Sequence, residues 1–161
     1  MLNCAFFPAH AIAKQSVTEV GGDQHQYNGI EKCHIQIGQH GTASLSPVIV
    51  SGLAYGVDYC AQELAVSSDL KTVQVCAHGL DLVYPQKHRT LFKAIERDGL
   101  VLSEYPPGTA PLKHHFLRRN RIIAGVSWAT LVVESALKGG SLTTAQYAFD
   151  YNRPCYSLSA L

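Results

Sequence analysis

The sequence has 161 residues, of which 47% are hydrophobic, enough for one domain with a full core but too short for two domains of ordinary size. Its 13 basic and 12 acidic side chains nearly cancel, which excludes a strong overall electrostatic field. Any affinity for nucleic acid must therefore come from local clustering of cations.

The amino-terminal segment and the cysteines both predict a cytoplasmic protein. The opening residues, MLNCAFFPAHAIAK, are mildly apolar and are interrupted by Pro8 and His10. They provide neither a charged start nor a long apolar stretch, so we expect no signal peptide and no membrane span. The cysteines form no C-x-x-C pair and mostly sit in apolar runs, as reduced core residues of a cytosolic protein do. They are Cys4, Cys33, Cys60, Cys76 and Cys155.

From Pro47 onward, short β-branched runs alternate with helical patterns, which predicts a parallel sheet with crossover helices. The predicted strands are residues 47–50, 72–77, 100–103, 129–133 and 154–158. The predicted helices are residues 57–67, 88–97, 117–124 and 142–151. Because the strands are apolar on both faces, we expect a doubly wound, mostly parallel α/β fold with three α/β/α layers. In the first 45 residues, 16–20 is a candidate strand and 29–41 a poor candidate helix.

The loop after the first of these strands is a candidate anion site, because ligands of open α/β sheets gather at the carboxyl ends of strands. It reads SGLAYGVD, in which Gly52 and Gly56 would let the backbone approach an anion and Asp58 opens the next helix. The same glycines have a purely steric explanation, since a tight strand-to-helix turn also needs glycine.

A second glycine loop follows the fourth predicted strand and reads ESALKGGSLTTAQYA. Gly139 and Gly140 precede Ser141 and Thr143 at a predicted helix N-terminus. Free N–H groups, hydroxyls and the helix dipole converge there, which predicts a phosphate-binding site. Ser141 is explained equally well as a simple helix N-cap.

The segment between Glu104 and Glu134 contains no acidic residue. Its four cations, which lack a neutralising neighbour in the sequence, are Lys113, Arg118, Arg119 and Arg121. Phe116 lies among them and offers a ring on which a base can stack. The segment therefore predicts an anion-binding surface. The alternative is an ordinary solvated helix face.

Motifs of several enzyme classes are missing from the sequence. It contains no Walker A motif, no G-x-S-x-G elbow, no H-E-x-x-H and no G-x-G-x-x-G. The eight histidines show no metal-ligand spacing, so we expect no metal site. Glu134, at the end of a buried strand, is either a candidate catalytic carboxylate or an ion-pair partner for one of the arginines.

Five blocks, in this order and spacing, resemble the DprA/Smf family of DNA-processing proteins. They are SGLAYGVD, AHGLDLVYPQKHR, LVLSEYPPGT, FLRRNRIIAGVS and VVESALKGGSLTTAQYA, and they lie within residues 47 to 158. The resemblance implies a Rossmann-like domain that binds single-stranded DNA without chemistry or cofactor and passes it to the RecA recombinase, chiefly during natural transformation. It also implies a homodimer formed through the C-terminal part of this domain.

The resemblance further implies which residues line the pocket. They are Gly52, Tyr55, Gly56, Lys113, Phe116, Arg118, Arg119, Arg121, Gly139, Gly140, Ser141 and Thr143. Tyr55 stands where many members have arginine, and Gln62 where many have histidine. The best match to the family's V-G-[ST]-R turn is residues 20–23, where Asp23 replaces a phosphate-binding arginine. We therefore expect a single domain over residues 1–161 whose first 45 residues are divergent.

Two alternative functions use the same kind of pocket. The lysine-decarboxylase-like phosphoribohydrolases are structurally similar enzymes that act on nucleotide monophosphates and carry P-G-G-x-G-T-x-x-E, with the acid after the glycines. Here Glu134 precedes Gly139 and Gly140, and no glutamate follows them. That order favours a binding protein over an enzyme. The other alternative is a small-nucleotide sensor without turnover.

Overall fold

The computed structural model describes residues 4–6, 47–133 and 139–157. The candidate strand at 16–20, the candidate helix at 29–41, the turn at 20–23 and Glu134 lie outside these residues. Across the part of the chain that is described, no helix is both long and apolar enough to cross a bilayer.

The described elements alternate between strands and helices. In chain order they are β1 (Cys4–Phe6), β2 (Ile49–Ser51), α1 (Val57–Ser67), β3 (Thr72–Cys76), a short 3₁₀ turn (Gln86–His88), α2 (Arg89–Asp98), β4 (Leu100–Ser103), α3 (Lys113–Val126), β5 (Ala129–Val132), α4 (Gly140–Asp150) and β6 (Cys155–Ser157). All five predicted strands and all four predicted helices are present. The short strand β1 was not predicted.

Helix α3 is longer than the sequence predicts. It begins at Lys113 instead of residue 117 and ends at Val126 instead of residue 124. The segment KHHF that precedes residue 117 contains neither glycine nor proline, so nothing in it stops the helix from starting directly after Leu112. Lys113 and Phe116 consequently lie on the first turn of a helix and not in a loop.

The six strands form one sheet in the order β4-β3-β2-β1-β5-β6. Five of them run in the same direction, while β1 is antiparallel to both of its neighbours, with Ala5 opposite Val50 of β2 and Thr130 of β5. The chain winds from β2 outward to β4, then crosses back through α3 to β5 and β6. This confirms the doubly wound, mostly parallel α/β fold.

Helices cover both faces of the sheet. On one face Ile49 of β2 packs with Ala61 and Ala65 of α1, and α2 lies beside α1. On the opposite face Val50 packs with Ile123 of α3, and α4 packs along α3. Because neighbouring strand residues point to opposite faces, Ile49 and Val50 are both buried, one in each layer. The three-layer arrangement follows from this.

Candidate nucleic-acid interface

The carboxyl ends of the parallel strands open onto one edge of the sheet, which we call the loop edge. It comprises residues 52–56, 77–85, 104–116 and 139–144. The winding direction of the chain reverses between β2 and β5, and crevices that bind ligands form at such reversals in open α/β sheets. The loop edge is therefore the expected place for a site.

The turn after β2 is held in place by two buried side chains of α1. The backbone N–H of Gly52 donates to Asp58 Oδ2 at 3.3 Å, and that of Leu53 donates to Gln62 Oε1 at 3.0 Å. The amide nitrogen of Gln62 donates in turn to β3. Gly56 has a φ of 91°, a conformation that favours glycine. Gln62, at a position where the family often has histidine, thus fixes the shape of this turn.

Arg119 lies inside the fold, with only 3% of its surface exposed. Its Nη1 donates to the carbonyl oxygens of Gly52, at 3.2 Å, and Val75, and its Nε donates to Asn120 Oδ1 at 3.2 Å. Burial lowers the pKa of the guanidinium, and the nearby Asp58 carboxylate opposes that shift. This corrects the sequence-based view of Arg119 as a surface cation, because the side chain is buried and its Nη1 donates to two backbone carbonyls.

Adjacent residues of α3 connect the two glycine turns that the sequence singles out. Arg119 bonds to the carbonyl of Gly52, and the side-chain amide of Asn120 donates to the carbonyl of Gly140 at 3.2 Å. The turn after β2 and the start of α4 are therefore brought together across α3, as a shared pocket requires.

The start of α4 differs in detail from the predicted phosphate-binding site. Ser141 and Thr144 are buried, and the Thr144 hydroxyl donates to the carbonyl of Gly140 at 3.4 Å. Thr143 and Gly139 are only half-buried. The first amides of a helix lack intrahelical partners, so an anion at this N-terminus would meet backbone N–H groups and Thr143 more readily than the Ser141 side chain.

The first turn of α3 presents a cation next to a ring. Lys113 is exposed, whereas Phe116 is half-buried. The guanidinium carbon of Arg119 lies 5.8 Å from the centre of the Phe116 ring, and the ring of Tyr84 lies 5.6 Å from it. The Phe116 ring thus contacts both a buried cation and a second aromatic side chain.

Arg118 and Arg121 both pair with Glu104, which directly follows β4 and precedes the segment without acidic residues. Arg118 Nε lies 3.5 Å from Glu104 Oε1, and Arg121 Nη2 contacts Glu104 Oε2. The sequence shows no acidic neighbour for these arginines, but the fold brings one from 14 and 17 residues away. A phosphate that binds here must compete with a carboxylate already in place.

Tyr55 and Tyr84 are exposed tyrosine rings of the loop edge. Tyr55 is 59% exposed, and its edge contacts the buried ring of His88, whose Nδ1 lies 2.9 Å from the Leu53 carbonyl. Tyr84 is 43% exposed and was not among the predicted site residues. The signal that could have found it is its place in the loop after β3, within the block AHGLDLVYPQKHR.

The doubly wound, mostly parallel sheet covered by helices on both faces defines a Rossmann-like domain. Residues 9–160 match the family model described as DNA recombination-mediator protein A, and the chain belongs to that family. The family resemblance seen in the sequence is thereby confirmed.

Curated relatives and solved structures agree with this assignment. The chain is 49% identical to Protein Smf of Synechocystis sp. over 110 residues, which are 68% of this chain. It is 45% identical to DNA processing protein DprA of Streptococcus pneumoniae over 111 residues, which are 69% of this chain. The crystal structure of the S. pneumoniae protein superposes with a TM-score of 0.65 at 40% identity, covering 71% of this chain and 40% of that one. DNA processing protein A of Helicobacter pylori, whose structure concerns a unique mode of binding single-stranded DNA, also gives a TM-score of 0.65, at 37% identity over 70% of this chain and 51% of that one.

The chain spans less than half the length of these curated relatives. The match covers 28% of the Synechocystis protein and 39% of the S. pneumoniae protein. Activities of the whole relatives are therefore matters for proposal and experiment in this chain.

Proposed function

We propose that this chain binds single-stranded DNA along the loop edge, as a recombination mediator that protects the strand and loads RecA during natural transformation. The observation that carries the proposal is the placement of Lys113 and Phe116 on the first turn of α3, the helix whose Asn120 contacts the N-terminus of α4. Lys113 supplies charge for a phosphate, Phe116 a ring for a base, and the helix starts supply free amides.

Single strands are favoured over duplex because only unpaired bases can stack on a protein ring. Three cations of the basic segment remain at the surface, namely Lys113, Arg118 and Arg121. If each neutralises one phosphate, the logarithm of the binding constant should fall with the logarithm of salt concentration with a slope of roughly −2.

Binding without turnover is supported by the contacts of the described carboxylates at and beside the loop edge. Asp58 accepts a hydrogen bond from the backbone N–H of Gly52, Asp81 accepts one from the backbone N–H of Gly108, and Glu104 forms ion pairs with two arginines. Within residues 4–6, 47–133 and 139–157, no three side chains of His, Cys, Asp or Glu are grouped to hold a metal ion. These carboxylates serve as structural acceptors, so we propose that the chain is not an enzyme.

The homodimer proposal rests on the carboxyl-terminal part of the domain. There β6 is an edge strand with all three of its residues exposed, and three aromatic side chains of the same part of the chain are exposed, namely Phe149 (76%), Tyr151 and Tyr156. An exposed strand edge and exposed aromatic side chains suit association with a second copy. Sedimentation at micromolar concentration should show a dimer that Phe149→Asp converts to a monomer, whereas a monomeric wild-type protein would contradict the proposal.

A cytoplasmic location is proposed from the thiols. Cys60, Cys76 and Cys155 are free. Burial raises the pKa of Cys76 to about 11, which marks it as an unreactive core thiol.

Fluorescence anisotropy with a labelled oligothymidine tests the proposed function. The labelled strand is competed with unlabelled oligothymidine, with a hairpin duplex and with a nucleotide monophosphate. We expect competition by the unlabelled strand far below the concentration at which the duplex or the monophosphate competes. Equal competition by the duplex would contradict the preference for single strands, and stronger competition by the monophosphate would favour the small-nucleotide alternative.

A further inference from the structure

Tyr84 is a large aromatic side chain left open to solvent at the centre of the loop edge. Its ring contacts Phe116 at 5.6 Å between centroids and the buried His78 at 6.4 Å, yet 43% of the residue is exposed. These contacts therefore cover only part of the Tyr84 side chain and leave the rest open to a ligand.

The loop that carries Tyr84 is fixed by hydrogen bonds to the neighbouring loop. The Asp81 carboxylate accepts from the Gly108 N–H at 2.9 Å, and the Gly79 N–H donates to the Thr109 carbonyl at 3.0 Å. The Ser103 hydroxyl donates to the carbonyl of His78 at 2.6 Å. Because the loop is held in this way, a base that stacks on Tyr84 would cost little additional ordering of the protein.

The geometry of the two rings separates their roles. The planes of Tyr84 and Phe116 are inclined by 54°, so one flat base cannot stack on both. Phe116 is half-buried, with the Arg119 guanidinium 5.8 Å from its centre, which leaves it less accessible than Tyr84. Two successive bases can each take one ring if the strand bends between them.

We propose that Tyr84 is a second base-stacking residue, which receives the unpaired base next to the one on Phe116. This inference rests on the proposed single-stranded DNA binding and extends that site from α3 toward β3. It makes the loop after β3 part of the interface, and it adds a selection for unpaired bases that does not depend on charge.

The first test compares Tyr84→Ala, Tyr84→Phe and Leu80→Ala in the full chain by anisotropy with labelled oligothymidine. Leu80 lies in the same loop and is 46% exposed, but it has no aromatic face, so its variant is the matched control. Loss of one base–aromatic stack, about 1–3 kcal/mol, should weaken binding by Tyr84→Ala about 5- to 150-fold with an unchanged salt slope. Tyr84→Phe keeps the ring and should recover most of the affinity.

A second readout is independent of the stability of the alanine variant. Trp128 is the single tryptophan of the chain, so Tyr84→Trp in a Trp128→Phe background gives one fluorophore at the proposed platform. Saturating oligothymidine should quench it, and a hairpin duplex should not. If the wild type fails to bind oligothymidine, the proposed function is wrong. If the wild type binds while Tyr84→Ala keeps full affinity or the tryptophan at 84 is not quenched, only the role of Tyr84 is overturned.

Discussion

The guanidinium of Arg119 occupies the space that a side chain at Gly52 would fill. A Cβ built on Gly52 would overlap the Arg119 guanidinium. The glycine of the first turn is thus needed for the close approach of a buried arginine, and not only for the approach of a ligand. This contact joins the end of β2 to α3 beneath the loop edge.

Gly52→Ala should therefore destabilise the fold. Crowding of a packed site costs about 1–3 kcal/mol, which urea denaturation can measure. Gly125→Ala is the matched control, because a Cβ there would only touch the Tyr151 ring at 3.4 Å and alanine is favoured within a helix. Equal stability of Gly52→Ala and the wild type would show that the guanidinium can move aside at no cost.

Substitutions of Arg118 and Arg119 should change the free energy of unfolding by different amounts, although the two residues are neighbours. Arg119→Met leaves two backbone carbonyls without their donor, so the free energy of unfolding should fall by about 1–3 kcal/mol. Arg118→Met removes an exposed pair with Glu104, and the change should stay within about 1 kcal/mol. Thermal and urea unfolding of both variants distinguish the two roles, and similar losses would contradict them.

Much of the architecture was predictable because β2 to β6 are short apolar runs set between helical patterns. β1 was missed because Cys4–Phe6 has three residues, and its partners Val50 and Thr130 are distant in the sequence. No local pattern distinguishes so short a strand.

The individual roles of the basic residues were harder to predict than the surface they lie on. Arg118 and Arg119 look equivalent in RRNR, but Arg119 lies one helical turn before the buried Ile123, a spacing that would have placed it on the inner face. The pairing of Glu104 with Arg118 and Arg121 has no such signal, since the topology of β4 and α3 creates it.

Glu104→Gln should strengthen binding of single-stranded DNA. Neutral glutamine no longer competes with phosphate for Arg118 and Arg121, so affinity should rise several-fold. The control is Glu96→Gln, which breaks an exposed pair with Lys93 on α2. Unchanged affinity at position 104 would mean that neither arginine reaches the strand.

Cys76 should make stability depend on pH in the alkaline range. Burial raises its pKa from 9.0 to about 11, so the folded state keeps the proton that the unfolded state loses. The contribution of the neutral Cys76 thiol to the free energy of unfolding is complete below about pH 9. It falls by about 2 kcal/mol as the pH rises to about 11. The difference in unfolding free energy between the wild type and Cys76→Ala should change over this interval. A constant difference would contradict a buried neutral thiol.

The most direct test of the loop edge as the DNA-binding surface is the salt dependence of oligothymidine affinity for Lys113→Ala and Phe116→Ala. Loss of the lysine should weaken binding and reduce the magnitude of the slope by about 0.7, because one phosphate loses its partner. Loss of the ring should weaken binding about 5- to 150-fold at an unchanged slope. Wild-type affinity and slope in both variants would place the bound strand elsewhere on the protein.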